Sequence, residues 1–170
     1  MLSAALIVCA TVAGTLAWLT DKTEPVVNTF TVGDINIELK ETTGKTYKMV
    51  PGIELVKDPA VTVKAGSEAC WLFVKVVKSG NFDDFMTFEM ADGWIALSGH
   101  AGVYYRNVDA TNADTGFDVL KDNKVMVLET VTKTMLEGAK TNAPTLTFTA
   151  YAVQKDGIND ADTAWGKVTP

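Results

Sequence analysis

The sequence predicts an all-β protein, an antiparallel sandwich or barrel with short peripheral helices. The chain contains many short segments with an alternating or continuously apolar strand pattern. Turn residues separate these segments at intervals of about ten residues, which is typical of antiparallel sandwiches and barrels rather than parallel sheets. No internal repeat, low-complexity tract or Pro/Ser-rich linker interrupts them. We therefore expect one domain.

The strand pattern begins at residues 29–40, where apolar and polar residues alternate and a shift in phase at Gly33 predicts a bulge or kink. Residues 70–78 are apolar on both faces at their start, as expected of a central strand covered by a second layer. Pro51 and Gly52 predict a turn. The other predicted strands are 59–64, 94–97, 103–108, 117–120, 124–132 and 145–154.

Three short segments carry helix signals. Residues 82–86 predict one turn of helix, and residues 132–139 a second helix that ends at Gly138. Residues 160–168 predict a last helix, with Asn159 or Asp160 as its N-cap.

The first 20 residues carry no charge and end in small residues. This pattern predicts a secretory signal peptide at residues 1–17, cleaved near Ala17 or Trp18, and a mature domain at residues 18–170. A retained transmembrane helix is the alternative, because no Lys or Arg precedes Lys22 and about 20 apolar residues span a bilayer. We favour cleavage because the ending resembles a cleavage site. The protein is then secreted, with no stable membrane anchor.

Composition excludes several function classes. The formal net charge is −6 and no Lys/Arg cluster forms a patch, so we expect no nucleic-acid partner. Of the two cysteines, Cys9 lies in the predicted leader, so the mature chain has no intramolecular disulfide. Cys70 lies in an apolar run, which indicates a buried side chain rather than a reactive thiol.

Catalytic motifs are missing from the sequence. The single histidine, His100, lies between glycines and predicts a surface loop, and one histidine excludes an HExxH zinc site. No GxSxG motif occurs. We therefore expect neither an enzyme nor a cofactor, although a secreted hydrolase with an unrecognised site stays an alternative.

Acidic and aromatic residues are the remaining candidates for binding. Asp156, Asp160 and Asp162 are candidate calcium ligands, but helix capping explains most of them without a metal. Asp83 and Asp84 are predicted to lie in a loop. Aromatic residues at an exposed face would stack on sugar rings, whereas in a sandwich they more often fill the core. These residues are Trp71, Trp94, Trp165, Tyr104, Tyr105 and Tyr151.

Two segments resemble the TasA/camelysin family: GTLAWLTD at residues 14–21 and NTFTVGDINIEL at residues 28–39. Residues 50–52, 57–63 and 148–154 are similar to segments of its clostridial members. The resemblance implies a protein exported by a Gram-positive bacterium, processed by a SipW-type signal peptidase and folded as a jelly-roll-like β-sandwich. It further implies a fibre subunit of the biofilm matrix or a cell-surface protein. Camelysin-like members are classed as metallopeptidases, an activity that the histidine content does not support.

Residues 18–32 suit a strand donated to a neighbouring subunit after signal cleavage. Pro25 disfavours helix, and the residues that follow are mostly β-branched or aromatic. The predicted assembly strand contains Val26, Val27, Thr29, Phe30, Thr31 and Val32. Its partner is a second copy or a related matrix subunit, joined by β-strand addition. Alternatively, residues 29–32 continue the first strand of their own sandwich, or the protein is a monomeric carbohydrate- or surface-binding module.

Overall fold

Short antiparallel strands build the protein, as a computed structural model shows for residues 33–44 and 46–168. These residues all fall within one compact unit. Its strands are β1 (Ile37–Lys40), β2 (Glu54–Val56), β3 (Ala60–Val63), β4 (Cys70–Lys78), β5 (Met86–Thr87), β6 (Ile95–Ala96), β7 (Val103–Val108), β8 (Thr115–Asp118), β9 (Lys124–Val127) and β10 (Leu146–Gln154). Its α-helices are α1 (Phe82–Phe85), α2 (Lys133–Ala139) and α3 (Ala161–Trp165).

The strands form three sheets in which every pairing is antiparallel. The four-stranded sheet has the order β10-β4-β7-β6, and we call it the long sheet. The β3 sheet has the order β1-β3-β8, and the β9 sheet has the order β2-β9-β5. With three short helices beside these sheets, the predicted all-β class is confirmed.

Strand β4 lies inside the long sheet and is buried on both faces. Leu72 and Val74 point to one face, where they join valines of the β3 sheet in a shared core. Trp71 and Phe73 point to the other face, where α3 covers them, and the rings of Phe73 and Trp165 lie 5.2 Å apart. Two layers of cover explain why the start of this strand is apolar at every position.

A further core joins the β9 sheet to the first two helices. Phe82 of α1 packs with Leu120 and Val127, all of them almost completely buried. Helix α2 closes this cluster, and its N-terminus is capped by Thr132, whose side chain accepts a hydrogen bond from the backbone N–H of Met135.

Most predicted elements occur, with shorter boundaries. Strands β3, β4, β7 and β10 lie where their segments were predicted, and β6 and β9 are shorter than predicted. Strand β8 begins and ends two residues before the predicted segment 117–120. Strand β1 begins only at Ile37, because the N–H of Asn36 donates to the hydroxyl of Ser67 instead of to a neighbouring strand. Strands β2 and β5 were not predicted, since two or three residues show no alternation.

Three local predictions were wrong. Asp83 and Asp84 lie in the first turn of α1 rather than in a loop. Acidic side chains in this position interact favourably with the helix N-terminus. Gly138 does not end α2, which continues to Ala139. The last helix ends at Trp165 instead of residue 168, whereas its cap, Asp160, is one of the two predicted residues.

The predicted leader and assembly strand lie outside the described residues. This applies to the signal peptide at residues 1–17, to Ala17 and Trp18, and to residues 18–32. Within residues 33–44 and 46–168, no helix has the length and apolar character needed to cross a bilayer.

The tight turn before β7 supplies a stability test. Gly102 has φ +73°, and an added Cβ would lie 2.3 Å from the carbonyl oxygen of Val76. Gly99 in the same loop has φ +80°, but an added Cβ there meets no atom within 4 Å. Left-handed backbone costs a residue with a side chain about 1–2 kcal/mol. We expect Gly99→Ala to lower the free energy of unfolding by that amount, and Gly102→Ala to lower it by clearly more. Urea denaturation measures both, and equal losses would contradict the steric argument.

Candidate functional site

Strand β10 leaves one side of its backbone unpaired within the described chain. The N–H of Ser79 donates to the carbonyl of Thr145 at 2.9 Å, and the N–H of Lys155 donates to the carbonyl of Ala69 at 2.8 Å. In an antiparallel pair these bonds recur at every second residue, so the odd-numbered residues of β10 face β4. The backbone N–H and C=O groups of the even-numbered residues face outward, and no described residue bonds to them. We call this side the open edge.

A groove of about 940 Å³ lies beside the first half of the open edge. It runs between the end of β1, the loop that follows β1, strand β2 and the start of β10. We call it the edge groove. Its apolar lining includes Leu39, Tyr47, Met49, Leu55, Phe82, Met86, Val125, Leu146 and Phe148. The open edge therefore borders an apolar surface.

A charged cluster lies in the wall of the edge groove. The ammonium of Lys57 is 2.7 Å from Oε1 of Glu41, and the hydroxyl of Tyr47 donates to the same oxygen. The side chains of Lys57 and Glu41 are only 12% and 22% exposed. The Lys57 ammonium lies 5.2 Å from the ring centre of Tyr47 and 5.4 Å from that of Phe148. We call Glu41, Tyr47 and Lys57 the groove triad.

The Tyr47 hydroxyl is protonated at neutral pH, and its surroundings reinforce that state. Burial raises the pKa of Tyr47 above its ordinary value, and the hydrogen bond to the Glu41 carboxylate raises it further. The hydroxyl lies within hydrogen-bond distance of Oε1 of Glu41 and of the carbonyl of Gly44, and Oε1 also accepts a hydrogen bond from Lys57.

Asp58 holds the loop that carries Glu41. Its carboxylate accepts hydrogen bonds from the backbone N–H groups of Thr42 and Thr43, each at 3.0 Å, and from both threonine hydroxyls. These bonds favour the ionised carboxylate, so the threonine hydroxyls and then the backbone N–H groups hold the pKa of Asp58 far below its usual range. This turn fixes the groove triad to the start of β3.

His100 lies in the loop between β6 and β7, as predicted. Its Nε2 is 2.9 Å from Oδ1 of Asp162, and its ring meets the ring of Trp165 edge-on. The side chain thus connects this loop to α3.

The three candidate calcium ligands have separate surroundings. Asp160 caps α3 by accepting a hydrogen bond from the N–H of Thr163 at 2.8 Å, and Asp162 contacts His100. In the described part of the chain, no three His, Cys, Asp or Glu side chains lie close enough together to hold a metal ion. The structure therefore does not bring Asp156, Asp160 and Asp162 into one site.

Cys70 and two of the tryptophans belong to the core. Cys70 is fully buried, and burial raises the pKa of its thiol to about 11, which suppresses the reactive thiolate. Trp71 and Trp94 are also buried, and their indole N–H groups donate to the carbonyls of Ile158 and Asp118. Packing thus explains these two rings without a sugar ligand.

Sequence reasoning missed the groove triad. Lys57 and Glu41 are 16 residues apart and match no motif. Their proximity follows from the pairing of β1 with β3, which the sequence pattern does not specify.

Comparison with protein-family models, with curated proteins and with solved structures finds no match to this chain. The resemblance to the TasA/camelysin family therefore stays a prediction. The fold and site define an all-β domain with an open sheet edge beside an apolar groove.

The Asp58 turn generates a pH-dependent prediction. Because the pKa of Asp58 is lower in the folded than in the unfolded state, its stabilisation is complete above the unfolded pKa near 3.8 and declines as the pH falls below it. We expect Asp58→Asn to be less stable than the wild type at pH 7, with the gap narrowing below about pH 4. Urea unfolding between pH 7 and pH 3 measures this gap.

Thr42→Val serves as the companion variant, because it removes one hydroxyl donor and leaves the carboxylate in place. It should lower the free energy of unfolding by less than Asp58→Asn does and show the same dependence on pH. If wild type and Asp58→Asn differ in free energy of unfolding by as much at pH 3 as at pH 7, the lowered pKa of Asp58 is contradicted.

Proposed function

We propose that this protein is a secreted, non-catalytic structural subunit of the cell surface or biofilm matrix that assembles by β-strand addition. The observation that carries the proposal is the open edge of β10 beside the apolar edge groove. Backbone groups at such an edge pair readily with an extended segment of another chain, and neighbouring pockets receive its alternate side chains.

The length and composition of β10 support the proposal that another chain pairs with its open edge. Natural proteins usually protect long edge strands with lysines, prolines or bulges. Strand β10 is nine residues long and contains neither a charged residue nor a proline. The other edge strands of the three described sheets, β1, β2, β5, β6 and β8, are only two to four residues long. The least protected edge of the described chain is therefore the one beside the groove.

The proposed occupant is the segment of residues 26–32 from a second copy. Its seven residues span about 23 Å when extended, within the length of about 30 Å that β10 offers. Val26, Val27, Thr29, Phe30, Thr31 and Val32 favour the extended conformation. Apolar side chains would cover the groove while main-chain hydrogen bonds supply affinity.

The proposal also covers how the sheets are arranged and which cleavage frees the donor segment. We propose that the sheets form a jelly-roll-like β-sandwich of the TasA/camelysin family. A SipW-type signal peptidase then removes residues 1–17 and frees residues 18–32. A related matrix subunit with a similar segment is an alternative partner to a second copy.

Two adjacent residues provide a matched test of the edge groove. Met49 lines it, whereas the next residue, Val50, is 43% exposed and does not. In a chain that begins at Trp18, we expect Met49→Glu to prevent filament formation, because a carboxylate in the groove opposes apolar side chains. Val50→Glu should assemble as the wild type does. Electron microscopy and sedimentation measure assembly, and circular dichroism checks folding. Filaments of Met49→Glu at wild-type yield would refute the groove as acceptor.

Removing the donor segment tests the other half of the proposal. A chain that begins at Gly33 keeps the groove and should stay monomeric. Added to the longer chain, it should cap growing filaments by accepting a strand without donating one. Filaments formed by the Gly33 chain alone, or a Trp18 chain that stays monomeric at high concentration, would overturn the proposal.

A further inference from the structure

The groove triad leaves specific hydrogen-bonding groups unused. The Lys57 ammonium has three N–H donors, and its one oxygen acceptor among the described residues is Oε1 of Glu41. Oε2 of Glu41 accepts no hydrogen bond from the described chain. Lys57 also lies over the ring of Phe148, which lines the groove. Among the described residues, N–H donors of Lys57 and Oε2 of Glu41 thus lie side by side without a hydrogen-bond partner at the wall of the edge groove.

Covering these groups imposes a requirement on the occupant. A buried charge that loses water without gaining a hydrogen bond is costly, so an apolar side chain placed over Lys57 and Glu41 is disfavoured. The matching side chain offers both a carbonyl oxygen and an N–H group. A primary amide supplies both, its oxygen accepting from Lys57 and its nitrogen donating to Glu41.

The proposed donor segment contains one such amide in a distinctive position. Alternate residues of a strand share a face, so in the proposed extended segment Val26, Asn28, Phe30 and Val32 would lie on one side. Asn28 is the one polar residue on this otherwise apolar face. A shift of two residues along the groove would place Val26 or Phe30 over the charged pair and leave it unsatisfied.

We propose that Lys57 and Glu41 bind the side-chain amide of Asn28 from a second copy and thereby set the register of the added strand. This inference rests on the proposed function, whose donor segment and acceptor groove it uses. A polar pair in an apolar interface then contributes selectivity, as a single buried asparagine fixes the alignment of a coiled coil.

The test uses the chain that begins at Trp18 and measures the critical concentration for filament assembly by sedimentation. We expect Asn28→Leu to raise this concentration about tenfold or more, because the charged pair is covered without a partner. Asn112→Leu, the same substitution at an exposed loop residue that does not line the edge groove, is the matched control and should stay within about twofold of wild type.

A rescue variant separates pairing from general damage. Glu41→Leu with Lys57→Met removes both charges, and thermal unfolding checks that this double variant folds. Combined with Asn28→Leu, it should restore assembly to near the wild-type concentration, because an apolar residue then meets an apolar wall.

The outcomes distinguish this inference from the proposed function. If the wild-type chain forms no filaments, strand addition itself is wrong. If wild-type filaments form but Asn28→Leu assembles at the wild-type concentration, or the triple variant is no better than Asn28→Leu, the register role of the triad is overturned while strand addition stands.

Discussion

The burial of β4 on both faces is the constraint on which the rest of the structure depends. Leu72 and Val74 require a layer on one side of the long sheet, and Trp71 and Phe73 require another on the opposite side. The β3 sheet and α3 supply these layers. Because β10 and β7 use the two hydrogen-bonding sides of β4, the sheet ends at β10 on one side and, beyond β7, at β6 on the other. The position of the open edge thus follows from the central strand.

The two lateral sides of the layered core are closed differently. On the side of β7 and β8, the guanidinium of Arg106 lies 4.1 Å from the ring centre of Phe117 and 5.2 Å from that of Trp94. The turn at Gly93 makes room for it, since an added Cβ there would lie 2.6 Å from Nη2 of Arg106. On the side of β10, the described chain places the edge groove. Within the described residues the two sides therefore differ: side chains fill the β7 side, and the β10 side keeps a groove.

The sequence predicted the long strands well because their patterns are long enough to be distinctive. β4 and β10 are nine residues each, and continuous burial or β-branched alternation marks both. β2 and β5 escaped prediction because two or three residues carry no period. The groove triad escaped for another reason: Glu41 and Lys57 meet through strand pairing, and pairing is a tertiary property. Asp160 was identified as a possible cap because capping is local, whereas its separation from Asp156 required the folded chain.

A charged pair in an apolar groove contributes little to stability, which is why its position is informative. Burying Lys57 and Glu41 costs desolvation that their attraction roughly offsets, so hydrophobic residues of similar volume would hold the loop as well. Backbone hydrogen bonds stabilise strand pairing but do not fix its register. They are the same at every residue, so a strand can slip by two positions. A polar group at one point of the groove removes that ambiguity. A pair that contributes little net stability to an isolated domain would therefore act on selectivity in the proposed assembly.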